Sequence, residues 1–250
     1  MAEIRSETAL RIITSFFSLI MGRRQPGLLK HRALKLLLML LPAILSPFLL
    51  EAKSASDVYE QTSKCVVVVY NLDDKGNRQL FASGVVMPDG NVATSNHVIA
   101  KAAGLSVVYN GKAFKARIRQ SDPEMDISIL EVPDLKAPKA LIGKNNQLKI
   151  GARVYAIGAP RGLELALSEG IVSGFREVGG RHYIQTTAPI SSGSSGGGLF
   201  DAEGLLVGFP TYHLTEGQQL NFAVPVEWVL ELQKRQENNS TNKQNRAAAH

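Results

Sequence analysis

One cysteine in 250 residues excludes an intrachain disulfide, so the stability of this chain has to come from a packed core. Cys65 sits in the apolar run Cys65-Val66-Val67-Val68-Val69-Tyr70, which reads as a strand with a buried, inert thiol. Aromatic residues make up only 6% of the chain. Long hydrophobic runs are scarce as well. Leu36 to Leu50 spans 15 residues, is broken by Pro42 and Pro47, and falls short of the roughly 20 residues of a membrane span. Strong charge is missing from the body. The net charge is +6, but residues 1–55 hold 8 Lys/Arg against 3 Asp/Glu. The remainder is left with 20 against 19, so no field for binding nucleic acid is implied. There is no internal repeat, no cluster with metal-ligand spacing and no glycine-rich phosphate cradle leading into a helix. No cofactor and no metal are expected.

The leader, residues 1–55, has a defined order: Arg23, Arg24, Lys30, Arg32 and Lys35, then the Leu-rich run, then Ala52, Ser54, Ala55 and Ser56. Basic, apolar and small in that order is the pattern of a secretory signal. Export to the periplasm or outside the cell is expected, with an uncleaved membrane anchor as the alternative.

Residues 56–236 read as an all-β body. Its expected strands in the first half are Cys65–Tyr70, Leu80–Met87, Val92–Ser95, Ser106–Tyr109, Ala113–Gln120 and Asp126–Val132. Asp73-Asp74-Lys75-Gly76-Asn77, Pro88-Asp89-Gly90-Asn91 and Asn110-Gly111 are turn sequences between them. After a connection at 136–152 come Val154–Gly158, Ala166–Phe175, His182–Thr186, Gly198–Phe200, Leu205–Phe209 and Asn221–Val224. Two sets of six short strands predict two antiparallel β-barrels, at about 57–135 and 150–225. Helical spacing of Val226, Val229, Leu230 and Leu232 predicts a C-terminal helix, and the polar residues 237–250 a disordered tail.

The chemistry is expected in Ile190-Ser191-Ser192-Gly193-Ser194-Ser195-Gly196-Gly197-Gly198-Leu199-Phe200. A flexible linker of that composition seldom runs straight into Leu-Phe and a strand. A loop held between strands can aim bare N–H groups of Gly193 and Ser195 at the negative oxygen of a tetrahedral acyl intermediate while the Ser195 hydroxyl attacks. A serine hydroxyl needs a base. Of five histidines, His31 lies in the leader, His250 ends the chain, His182 sits in an alternating strand and His213 in a loop. His97 ends Thr94-Ser95-Asn96-His97, where a strand gives way to a short helical turn. Asp126 leads the core strand Ile127-Ser128-Ile129-Leu130, where a carboxylate is costly to bury without a partner. Asp122, before Pro123, reads as a turn residue.

This order of His, Asp and Ser on two β-barrels resembles the trypsin-like serine proteases, and within them the HtrA/Deg type. Ser83-Gly84-Val85-Val86, Thr94-Ser95-Asn96-His97-Val98, Asp126-Ile127-Ser128-Ile129-Leu130, Ser168-Glu169-Gly170-Ile171-Val172-Ser173-Gly174, Gln185-Thr186-Thr187-Ala188-Pro189-Ile190, Gly193-Ser194-Ser195-Gly196-Gly197 and Asn221-Phe222-Ala223-Val224-Pro225 carry the likeness. The resemblance implies a serine endopeptidase with Ser195 as nucleophile, His97 as base and Asp126 as its orienting acid. It implies oxyanion donors at Gly193 and Ser195, with the N–H of Ser194 nearby. Thr211, Tyr212 and His213 would pair with an extended polypeptide substrate. Ile190, His213 and Leu214 would shape a pocket for small or medium apolar side chains. Ser192 and Gly198 stand where the family often has proline, which predicts a looser loop. The family's PDZ domain is not expected here. A catalytically silent peptide-binding module on the same scaffold is the alternative, and an esterase the third reading.

Overall fold

A computed structural model describes residues 53–144, 147–160, 165–213 and 220–235. The leader's first 52 residues and the tail from 236 onward, with the expectations that fall on them, lie outside the described residues.

The described chain opens on helix α1 (Ala55–Thr62), then strands β1 (Val66–Leu72), β2 (Arg78–Val86) and β3 (Val92–Ser95), and the one-turn helix α2 (Asn96–Ile99). Strands β4 (Gly104–Tyr109), β5 (Lys112–Asp122) and β6 (Ile127–Glu131) complete the first half. The second half holds β7 (Arg153–Gly158), β8 (Ala166–Val178), β9 (Arg181–Thr186), β10 (Gly198–Asp201), β11 (Leu206–His213) and β12 (Asn221–Pro225), followed by helix α3 over 226–235. Each half closes into a six-stranded antiparallel barrel, ordered β1-β2-β3-β6-β5-β4 and β7-β8-β9-β12-β11-β10. Adding six to each label of the first order gives the second, so the two barrels share one topology although no sequence repeat betrays it.

Local chemistry explains the turns. Asn110 (φ 47°) and Gly111 (φ 74°) take the two left-handed positions that a two-residue hairpin demands between β4 and β5. The Asp73 carboxylate accepts from the N–H groups of Lys75 and Asn77, while Gly76 adopts φ 83°. Asp122 accepts the N–H groups of Glu124 and Met125 and so acts as a turn residue.

Each barrel has its own apolar interior, one around Val67, Val69, Val92, Ile99 and Leu130, the other around Val154, Ile184, Leu199 and Val207. A third cluster, including Met87, Met125, Ile127, Tyr155, Phe200 and Phe209, joins the barrels and takes in Val58 of α1 and Val226, Val229 and Leu232 of α3. Cys65 belongs to this cluster, and burial pushes its thiol up to about 12.

Sequence spacing did not anticipate α1. The Ser54 hydroxyl accepts from the Asp57 N–H and the Asp57 carboxylate accepts from the Ser54 N–H, a reciprocal cap that fixes the helix start. Lys53 donates to the Glu203 carbonyl and to Gln61, which ties the residues before α1 to the second barrel.

Candidate active site

The barrels meet at a cleft of about 580 Å³ lined by His97, Pro123, Asp126, Ile190, Ser191, Ser192, Ser195 and Thr211. It brings together residues 29 to 98 positions apart in sequence: the base candidate from α2, the acid that precedes β6, and the serine from the loop before β10.

Asp126 adopts φ 55°, a left-handed conformation that a short polar side chain tolerates at modest cost. That kink lets one residue bond α2 three times. Its carbonyl accepts from the Asn96 N–H at 3.1 Å, one carboxylate oxygen from the His97 N–H at 2.7 Å, and the other meets His97 Nδ1 at 2.8 Å. Below this contact Ser128 donates to the Asn96 side chain at 2.9 Å and Ser121 lies 2.8 Å from Ser128, pinning the residue before the histidine.

A carboxylate only accepts, so Nδ1 carries the proton and Nε2 keeps its lone pair for a substrate-side proton. The hydrogen bond and charge of Asp126 hold the imidazole above its ordinary value, against partial burial that pulls the other way. Burial pushes Asp126 up, but bonds from the His97 ring, the Thr211 hydroxyl and the His97 N–H outweigh it and hold the carboxyl below its usual range.

Thr211 does more than its place on a substrate edge suggests. Pro210 pairs with Ala223 and Tyr212 with Phe222, which leaves Thr211 as the extra residue of a bulge in β11. The bulge aims its hydroxyl at Asp126, 2.6 Å away, and its carbonyl accepts from the Ser195 hydroxyl at 3.2 Å. A proline before a threonine in a strand is the one signal in the sequence that points to such an irregularity.

The serine loop turns sharply, with Gly193 at φ 95° and Gly196 at φ 77°. The Ser194 N–H donates to the Ser191 carbonyl at 2.9 Å, so this expected third oxyanion donor is already spent. Among the described residues the N–H groups of Gly193 and Ser195 have no such partner. The looseness expected from Gly198 is not what the fold shows. Gly198 pairs with Ile157 inside β10, and an added Cβ would lie 2.2 Å from the Phe200 ring. Ser83, a residue that local sequence did not single out, reaches this loop from β2 through its side chain and backbone.

Ile190 lines the cleft and is buried. The backbones of Tyr212 and His213 continue β11 opposite Phe222 and Asn221, while Leu214 lies outside the described residues. Among the described residues no group of three or more His, Cys, Asp and Glu could hold a metal ion, and no helix is long and apolar enough to cross a membrane.

Comparison with known proteins bears on the fold and the family. The chain is 33% identical over 169 residues to a probable periplasmic serine endoprotease, DegP-like, of Pseudomonas fluorescens, covering 64% of this chain and 36% of that protein. It thus spans about a third of the length of that relative. The crystal structure of a serine endoprotease from Yersinia pestis aligns with a TM-score of 0.66 at 30% identity, over 73% of this chain and 66% of that one. An HtrA-type protease with a tripeptide aligns with a TM-score of 0.67 at 30% identity, over 73% and 63%. Residues 82–209, which include His97, Asp126 and Ser195, match the family described as Trypsin-like peptidase domain, and the chain belongs to that family.

Proposed function

We propose that this chain is a serine endopeptidase that cuts polypeptides through an acyl-enzyme intermediate. The observation that carries the reading is the Asp126 carboxylate held by both the His97 ring and the Thr211 hydroxyl in the cleft that also contains Ser195. In the reaction the Ser195 hydroxyl leaves the Thr211 carbonyl, and its oxygen attacks the scissile carbonyl carbon as its proton passes to His97 Nε2. Asp126 stabilises the imidazolium and fixes its orientation. The Gly193 and Ser195 N–H groups receive the negative oxygen. His97 then returns the proton to the leaving amine. Water, deprotonated by the same Nε2, releases the acyl group as a carboxylic acid.

An extended substrate has an edge to pair with. β12 covers one side of Phe209–His213, whereas β10 meets β11 only at Leu206 and Gly208, and the Pro210 carbonyl is taken by the Gly196 N–H. The edge from Tyr212 onward is therefore open among the described residues, which suits strand addition by a peptide. A tripeptide accompanies one of the similar HtrA-type structures. Around Ile190 the cleft's ionisable lining residues are His97 and Asp126, both engaged with each other, so small or medium apolar side chains are the proposed preference. The basic-apolar-small leader, with relatives named as periplasmic, supports export.

Digestion of an unfolded protein such as casein tests the activity. Ser195→Ala is expected to lower turnover by roughly a million-fold with an unchanged melting temperature. Casein cleavage that survives the change sinks the assignment.

A further inference from the structure

Oxyanion stabilisation depends on donors fixed in advance, yet the loop that carries them is built from residues with little stiffness of their own. Gly193 is unconstrained by a Cβ and follows a serine rather than a proline. Something outside the loop has to set its conformation. Ser83, in the middle of β2, is fully buried and meets three separate segments at that point. Its hydroxyl accepts from the Ala159 N–H at 2.8 Å, just past the end of β7. An N–H can only donate, so the single hydroxyl proton of Ser83 is free to go to the Gly193 carbonyl at 2.7 Å. Its own N–H donates to the Ser195 carbonyl at 2.9 Å. One residue of the first barrel therefore grips the carbonyls on both sides of Ser194.

The consequence is local and directional. The peptide plane between Gly193 and Ser194 is held at its carbonyl by Ser83 and at its N–H by the Ser191 carbonyl. The Gly193 N–H belongs to the preceding peptide plane, joined to this one across Gly193 at φ 95°, so holding the one plane narrows the directions open to the other. Ser83 is itself seated. Its carbonyl accepts from the Thr94 hydroxyl at 2.7 Å, and Gly158 leaves room for it, since a Cβ there would sit 2.8 Å from the Ser83 oxygen.

We propose that Ser83 is a positioning residue that sets the oxyanion-binding conformation of the 193–195 loop from the opposite barrel. The inference rests on the peptidase reading above and adds a residue to it that touches Ser195 only through the backbone and none of the reacting side-chain atoms. Its hydroxyl matters most in the transition state, where charge develops on the carbonyl oxygen, and little when a peptide merely lies in the cleft.

The test compares the wild-type chain with Ser83→Ala and Ser83→Cys in three measurements: hydrolysis of a peptide p-nitroanilide, affinity for the matching peptide boronic acid, and affinity for the matching peptide carboxylate. The boronate is a tetrahedral mimic formed when the Ser195 oxygen bonds to boron and its proton passes to His97. For Ser83→Ala, kcat is expected to fall about 100-fold with KM within about twofold. Boronate affinity falls by a similar factor and affinity for the peptide carboxylate stays the same. Ser83→Cys, whose S–H is a weaker donor of similar size, recovers part of the loss. If Ser83→Ala does not fold, the same split at smaller amplitude is read from Ser83→Cys. Unchanged kcat, or losses of boronate and carboxylate affinity in equal measure, overturn the inference. A wild-type chain that hydrolyses nothing and takes up no boronate overturns the peptidase reading itself, which the variants do not address.

Discussion

Asp126 fixes its imidazole from two directions at once, through its own left-handed backbone and through a carboxylate shared by His97 and Thr211. Replacing the carboxylate by an amide keeps the shape and loses the charge. Asp126→Asn is expected to lower kcat about 10⁴-fold on a peptide substrate, with the fold retained. The pH profile gives a second readout. Peptide hydrolysis needs neutral His97, and the aspartate holds the charged form, so activity is low in acid and climbs as pH rises through a limb above about 6.5. In Asp126→Asn that limb moves to lower pH. A limb that stays in place shows that Asp126 does not tune the base. His97, Asp126 and Ser195, which line one cleft, stand out in the sequence as candidates because each breaks a local rule. One is a polar ending to an apolar strand, one an unpaired acid leading a core strand, and one a run of glycines and serines inside a β-protein. Ser83 breaks none. It is a small residue in an ordinary strand, and its role exists only once the second barrel lies against it.

At the level of elements, the serine loop is fitted into β2 and β3 with no space to spare. A Cβ at Gly196 would fall 2.5 Å from both the Ser83 carbonyl oxygen and the Ser95 nitrogen, at a backbone φ of 77°. Backbone cannot yield as a flexible side chain can. Gly196→Ala is expected to cost about 2–3 kcal/mol and to lower kcat as well. A thermal scan and a rate on the same preparation check both; an unchanged melting temperature contradicts the close fit. Helix α3 makes the opposite kind of contribution. Val229 is fully buried in the cluster that joins the barrels, and the Leu232 carbonyl accepts from Gln120 of β5 at 2.8 Å. Val229→Ala is expected to cost about 2 kcal/mol, roughly 4–8 °C in melting temperature, while kcat stays within about twofold. All twelve strands and α3 were legible from alternation, turn residues and apolar spacing. Helix α1 was not, because Ala52, Ser54, Ala55 and Ser56 have the small-residue composition of a cleavage region. The Ser54-to-Asp57 spacing that caps the helix lay inside that stretch. The bulge at Thr211 escaped for another reason: strand irregularity is decided by the partner strand, here β12.

At the scale of the described body, one strand order is used twice, and the candidate cleft lies where the two copies face each other. In the proposed reaction barrel one would supply the base and its acid, and barrel two the nucleophile and the edge for a substrate. Thr211 and Ser83 are the cross-links, one hydroxyl reaching each way. A body with nearly balanced charge and an apolar wall at Ile190 is suited to neutral side chains. In a peptide library, cleavage after Val or Ala is expected to exceed cleavage after Arg or Lys by at least about tenfold, the scale set by one or two kcal/mol of pocket discrimination. Equal rates after Arg contradict that reading. The central claim is that residues from the two barrels together make one hydroxyl nucleophilic, and covalent labelling tests it most directly. Intact-mass analysis after treatment with a fluorophosphonate should show a single adduct, mapped to Ser195, that is lost in both Ser195→Ala and His97→Ala. No adduct on the wild-type chain, or one that forms at the same rate without His97, would contradict the account.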